Sequence, residues 1–209
     1  MKKITIITIV IVVLDQLSKF YIKTNFEIGE SVTIFQDWFH LLFVENPGMA
    51  YGMNWGGPIG KTILAISRWV FIFAMIYFIS HQGKKMQKPL FNWTAGLLLA
   101  GALGNVLDST FYGLIFDTGT TWNPEIQDWN RFYPGVSKAD FSGYAPLFQG
   151  CVVDMLYFPL FDYSIPESIP LIGGKQGTFF SPIFNIADSA ITIGAVIILF
   201  FHERIFRIN

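Results

Sequence analysis

Four stretches of this chain are apolar and long enough to cross a lipid bilayer, and nothing else in the sequence limits its fold so strongly. They lie at about 4–22, 62–80, 90–112 and 183–201. A spanning helix needs roughly 20 apolar residues, because backbone amides inside hydrocarbon must be satisfied within the segment itself. The residues as a whole are 52% hydrophobic and only 14% charged, with mean hydropathy +0.46, too apolar for an ordinary soluble domain. The expected class is an α-helical integral membrane protein built as a four-transmembrane-helix bundle. A net charge of -1 leaves no basic face for nucleic acid. The single cysteine, Cys151, excludes an internal disulfide, and with His40, His81 and His202 scattered along the chain no metal or other cofactor is expected.

The segments between the spans set the topology. Lys2 and Lys3 precede the first apolar run in the manner of a cleavable signal peptide, but no small-x-small cleavage site follows. Asp15, Gln16 and Lys19 continue one helical pattern, so the run is read as a retained span. Residues 23–61 are mixed polar and aromatic, with alternation at 32–34 and 39–44 that predicts strands of a small extracytoplasmic β patch. Pro47, Gly48 and Gly52 then break any regular element. Residues 113–182 form a long extracytoplasmic insert without a spanning segment, whose short apolar pieces, such as 152–153, 156–161 and 179–180, are expected at the membrane interface. Lys2, Lys3, Lys84, Lys85, Lys88, Arg204 and Arg207 fall on one side under this scheme, which makes that side, with both termini, cytoplasmic.

Two polar interruptions carry the chemistry. The third span ends in Gly101-Ala102-Leu103-Gly104-Asn105-Val106-Leu107-Asp108-Ser109, and the fourth opens with Asn185-Ile186-Ala187-Asp188. In both, an Asn and an Asp three residues apart share a helical face. Spans three and four run in opposite directions, so Asp108 and Asp188 both reach the outer surface, with Asp15 and Lys19 at about that depth. Two neighbouring carboxyls cannot easily both ionise; sharing one proton, they can activate water and protonate a carbonyl, as in aspartic peptide hydrolysis. Gly101 and Gly104 would let a helix or a peptide approach closely. Each element also has a plain structural reading: Asn and Asp as interhelical hydrogen-bond partners, Asp15 with Lys19 as an i,i+4 pair, the glycines as packing contacts, Asn46-Pro47-Gly48 as a turn, and Cys151 as a passive interfacial residue. Two other functions fit the composition. An ion-coupled transporter would place its carboxylates near the bilayer midplane, and an assembly factor would use the aromatic insert to bind a partner.

Taken together, Asp15-Gln16-Leu17-Ser18-Lys19, Glu45-Asn46-Pro47-Gly48-Met49-Ala50-Tyr51-Gly52, Gly104-Asn105-Val106-Leu107-Asp108, Gly150-Cys151-Val152-Val153-Asp154 and Phe184-Asn185-Ile186-Ala187-Asp188-Ser189 resemble, in order, the motifs of bacterial lipoprotein signal peptidases, or signal peptidase II. The resemblance spans all four apolar segments and treats residues 1–209 as one membrane-embedded peptidase domain. It implies an aspartic endopeptidase of the cytoplasmic (inner) membrane. Such an enzyme removes signal peptides from diacylglyceryl-modified prolipoproteins, cutting before the lipidated cysteine at the outer face. Asp108 and Asp188 match the catalytic pair, while Asp15, Lys19, Asn46, Gly48, Asn105, Asn185 and Ala187 match substrate-binding or supporting positions. The implied partners are the prolipoprotein and membrane lipid, and the implied state is a monomer. Ser109 stands where many members have Arg, and the insert is long, as in Bacteroidota-type members, with 117–149 read as a lid over the cleft.

Overall fold

In the computed structural model, which describes residues 1–48, 56–82, 88–167 and 173–206, four helices satisfy the length and hydropathy needed to cross a membrane. They are α1 (Lys2–Asn25), α2 (Gly57–Gln82), α3 (Pro89–Ile115) and α4 (Ile186–Phe206). Met49 to Gly52 of the turn motif, Lys84, Lys85 and Arg207 lie outside the described residues. Helix α3 is central: half of its apolar window is buried, against 17–22% for the other three. Much of what the other three leave exposed, including Ile6, Val13, Leu17, Phe71 and Leu199, is apolar surface suited to lipid.

Four strands form an antiparallel sheet at one end of the bundle, in the order β1 (Ser31–Phe35), β2 (Phe39–Asn46), β5 (Val152–Tyr157), β8 (Ile183–Phe184). Two hairpins, β3 (Thr121–Asn123) with β4 (Asp128–Asn130) and β6 (Phe161–Ser164) with β7 (Gln176–Phe179), complete the insert. The first two strands lie where the alternation predicts them, but the patch is not confined to 23–61. Val152, Val153, Leu156 and Tyr157, from two of the pieces expected at the membrane interface, instead belong to an inner strand, Val152–Tyr157, whose first four residues are buried. Residues 183–184, assigned to the last span, are an edge strand, and α4 starts only after Asn185. Helix α2 begins at Gly57, earlier than the apolar run alone suggests. The strand shifts share one cause: strand pairing, which no local pattern encodes, claims residues at the ends of apolar runs.

Helix α3 changes pitch at its end. Residues Asp108–Tyr112 form a π-turn, a local widening that is frequent at functional sites. Its carbonyls accept from the insert, with Gly150 N donating to Ser109 O (3.0 Å) and Phe148 N to Thr110 O (3.2 Å). Gly150 is required by closeness, since a Cβ there would lie 2.3 Å from Asp108 O.

The segment 117–149 is anchored at several points. Lys23, at the end of α1, is buried, pairs with Glu45 on β2 and donates to Thr118 O (3.0 Å). The rings of Phe116, Tyr144 and Tyr133 surround its ammonium at 5.0–5.4 Å. Trp122 of the β3–β4 hairpin lies against Gly57, and Lys61 of α2 sits 4.5 Å over the Trp129 ring. Cys151 is not at the interface. It is fully buried, Lys61 Nζ is 2.9 Å from its sulfur, and burial pushes its thiol up from the usual range.

Two apolar clusters result. One, with Ile4, Ile72, Phe91, Leu99 and Val106, lies within the bundle; the other, with Ile22, Phe43, Tyr112, Val153 and Met155, joins the bundle to the sheet. Asp15 and Lys19 on α1, and Asp108 on α3, fall between these clusters. Gly150→Ala should destabilise the protein by about 1–3 kcal/mol, the usual cost of overpacking a tight site. Its apparent melting midpoint in detergent should fall, with proteolysis of the insert appearing before that of the helices.

Candidate active site

The polar layer is built around Lys19. Its ammonium contacts Asp15 Oδ2 at 2.9 Å, Asp108 Oδ2 at 2.7 Å and Asn105 Oδ1 at 2.9 Å, with Lys19, Asp15 and Asp108 all fully buried. Three N–H donors thus meet three oxygens, as a buried ammonium requires. Gln16 completes the cluster, donating to Asp108 Oδ1 at 2.7 Å and to Gly104 O at 3.2 Å. The Asp15–Lys19 pair is structural as the i,i+4 spacing predicts, but it also fastens α1 to α3.

Asn185-Ile186-Ala187-Asp188 is a capping box. Asn185 precedes α4, its Oδ1 accepts from Asp188 N at 2.9 Å, and Asp188 Oδ2 accepts from Asn185 N at 3.2 Å. Asp15 Oδ1 satisfies a further end donor of α4, accepting from Ala187 N at 2.8 Å. Gly104 makes this possible, because a Cβ there would lie 2.6 Å from Asp15 Oδ2 and 2.8 Å from Ala187 Cβ. Asn105, by contrast, lies inside α3, where its side chain donates to Asp188 Oδ1 at 2.7 Å. The repeated Asn-x-x-Asp spacing therefore has two different origins, one a helix start and the other an interhelical bond.

Asp154, whose role the sequence leaves open, stands next to Asp188. Pairing of Leu156 with Phe184 brings β5 beside the start of α4, and Asn185 Nδ2 donates to Asp154 Oδ1 at 2.6 Å. Asn46 Nδ2 donates to Asp154 Oδ2 at 3.3 Å, and Asn46 Oδ1 accepts from Gly48 N at 2.8 Å. Burial first, and the nearby Asp188 carboxylate second, push the Asp154 carboxyl up to about 8. The structure therefore gives Asp108 a different setting from the one expected of it. Its charge is directly compensated by Lys19, whereas Asp154 has no cation within ion-pair distance among the described residues.

A cavity of about 390 Å³ opens beside Asp188, lined in part by Arg68, Phe71, Gly101, Asn105, Asp188 and Ile191. Sequence reasoning missed Gln16 and Arg68 as members of this cluster and left the role of Asp154 open. Arg68 had a signal, being an arginine in the middle of an apolar run. Among the described residues no cluster of His, Cys, Asp and Glu is arranged to hold a metal.

The chain resembles known proteins along nearly its full length. The family model described as signal peptidase II matches residues 7–203. The lipoprotein signal peptidase of Porphyromonas gingivalis is 36% identical over 204 residues, covering 97% of this chain and 84% of the relative. That of Amoebophilus asiaticus is 31% identical over 198 residues, covering 92% and 74% respectively. A bacterial membrane enzyme solved in meso at 2.3 Å shares the fold, with TM-score 0.61 and 22% identity over 98% of this chain and 89% of its own.

The geometry of the Lys19 cluster has a measurable consequence. Lys19→Met leaves two buried carboxylates facing each other and should cost about 3–5 kcal/mol. Adding Asp108→Leu should recover part of that loss, and a double-mutant cycle on melting midpoints should show strong coupling rather than additive losses.

Proposed function

Because the chain belongs to the signal peptidase II family, and is thus a multi-pass membrane protease that processes prolipoprotein signal peptides, we propose that Asp154 and Asp188 are its catalytic carboxyls. The observation that carries this reading is their shared bridge, Asn185, whose side-chain amide donates to Asp154 Oδ1 and whose backbone N–H donates to Asp188 Oδ2. Asp108 is proposed as a positioning residue, holding Lys19 so that Asn105 and the α4 start stay in place.

In this mechanism Asp154 holds the pair's proton. Asp188, fed by donors from Asn105 and Asn185, removes a proton from a water as its oxygen bonds to the scissile carbonyl carbon. Asp154 gives its proton to the carbonyl oxygen, forming a neutral gem-diol. Asp188 then passes its proton to the leaving nitrogen as the C–N bond breaks, and a diol hydroxyl returns a proton to Asp154. Asn46 and Asn185 supply the donors that keep the Asp154 carboxyl oriented. One chain supplies both carboxyls, which supports a monomeric enzyme. The scissile bond is placed at the outer face, just before the diacylglyceryl-cysteine, with both termini cytoplasmic. The position of Asp188 in the first turn of α4 and the basic residues at the opposite helix ends support that orientation. Carboxyls at helix ends beside a sheet also disfavour the midplane site that a transporter needs.

Asp154→Asn and Asp188→Asn should each lower kcat on a diacylglyceryl-modified prolipoprotein by about a thousandfold or more, with the fold intact. In the wild type, kcat should hold from neutral pH to about pH 8 and fall above it, as Asp154 loses the proton it must donate. Asp108→Asn should lower the melting midpoint while its residual activity keeps the same alkaline fall. Full turnover in Asp154→Asn would defeat the assignment.

A further inference from the structure

Arg68 is a half-buried cation inside the spanning helix α2 with no carboxylate within 4.0 Å among the described residues. Its guanidinium is held from two sides. Nη2 donates to Gly48 O at 2.9 Å, and Nη1 lies 3.4 Å from Ser109 Oγ, which itself donates to Asn105 O at 3.0 Å. Gly48 has φ +93°, and a Cβ there would lie 3.3 Å from Nη1, so the missing side chain at Gly48 leaves room for the guanidinium. A guanidinium carries five N–H donors, and these two contacts engage only part of that set. The same cavity holds Arg68 and Asp188 near one another and Phe71, Ala102 and Ile191 as apolar wall.

We propose that Arg68 is a specificity-determining residue that binds the ester carbonyl oxygens of the substrate's diacylglyceryl group. This rests on the lipid-modified substrate of the proposed function. The chemistry selects that group: the ester carbonyls lie between acyl chains, which suit the apolar wall, and the peptide bond, which must reach Asp188. A neutral acceptor fits better than a phosphate, which Asp188 would repel. Ser109 and Gly48 fix the direction in which the fork of donors points.

The test compares two synthetic lipopeptides, one with ester-linked and one with ether-linked chains, in detergent micelles free of ester lipid, so that the substrate is the sole source of ester carbonyls. Wild type should favour the ester by about tenfold in kcat/KM, carried by KM. Arg68→Gln should lose this preference while keeping most of its kcat, and Arg68→Lys should keep part of it. Equal kcat/KM for the two lipopeptides with wild type overturns the role of Arg68 whether or not the variants fold. So does an undiminished preference in Arg68→Gln, or a loss confined to kcat. Cleavage of an unlipidated peptide as fast as either lipopeptide overturns the proposed function itself.

Discussion

A single buried ammonium organises the molecule. Lys19 could not remain charged between α1 and α3 without its three acceptors, and each acceptor positions something else. Asp15 continues to the backbone of Ala187 at the start of α4, while Asn105 continues to Asp188 itself. Removing the charge from this layer would therefore misplace three helices together. The cost of burying ions explains why the layer is so completely bonded, with Gln16 and Tyr112 adding a further link at 3.3 Å.

The carboxyl pair depends on a second constraint, the register between β5 and β8. The edge strand is only two residues long, yet it is followed directly by the cap of α4. Pairing on one side and capping on the other leave little freedom for Asn185, and Asn185 in turn fixes both carboxyls. A site of this kind is supported by a sheet and a helix end rather than by a loop, which favours the precision that proton transfer demands. The π-turn of α3 joins the same arrangement, because the strand that carries Asp154 begins two residues after Gly150, which docks on the turn.

The spans, the polar interruptions and the family were legible in the sequence because hydropathy and motif spacing are local signals. Asp15, Lys19, Asn105, Asn185, Ala187 and Asp188 do gather in one layer, and Asn46 and Gly48 reach it through Asp154 and Arg68. What local reading could not supply was that Asn185 links Asp154 to the start of α4. Asp108 and Asp188 share a spacing, and that symmetry suggested a pair. The spacing instead serves a capping box at one site and an interhelical bond at the other. Asp154 sits in a buried strand of an insert whose pairing depends on residues more than a hundred positions away, as with Val44 opposite Asp154. Arg68 was visible as an isolated charge, but its partners, Gly48 and Ser109, come from elsewhere in the chain.

The protonation state of Asp154 can be observed directly. Infrared difference spectra of the protein in detergent, titrated from neutral to alkaline pH, should contain the C=O stretch of a protonated carboxyl that disappears near pH 8. That band should be absent in Asp154→Asn and present in Asp108→Asn. A band that survives in Asp154→Asn and vanishes in Asp108→Asn would return the shared proton to Asp108 and contradict the pairing of Asp154 with Asp188.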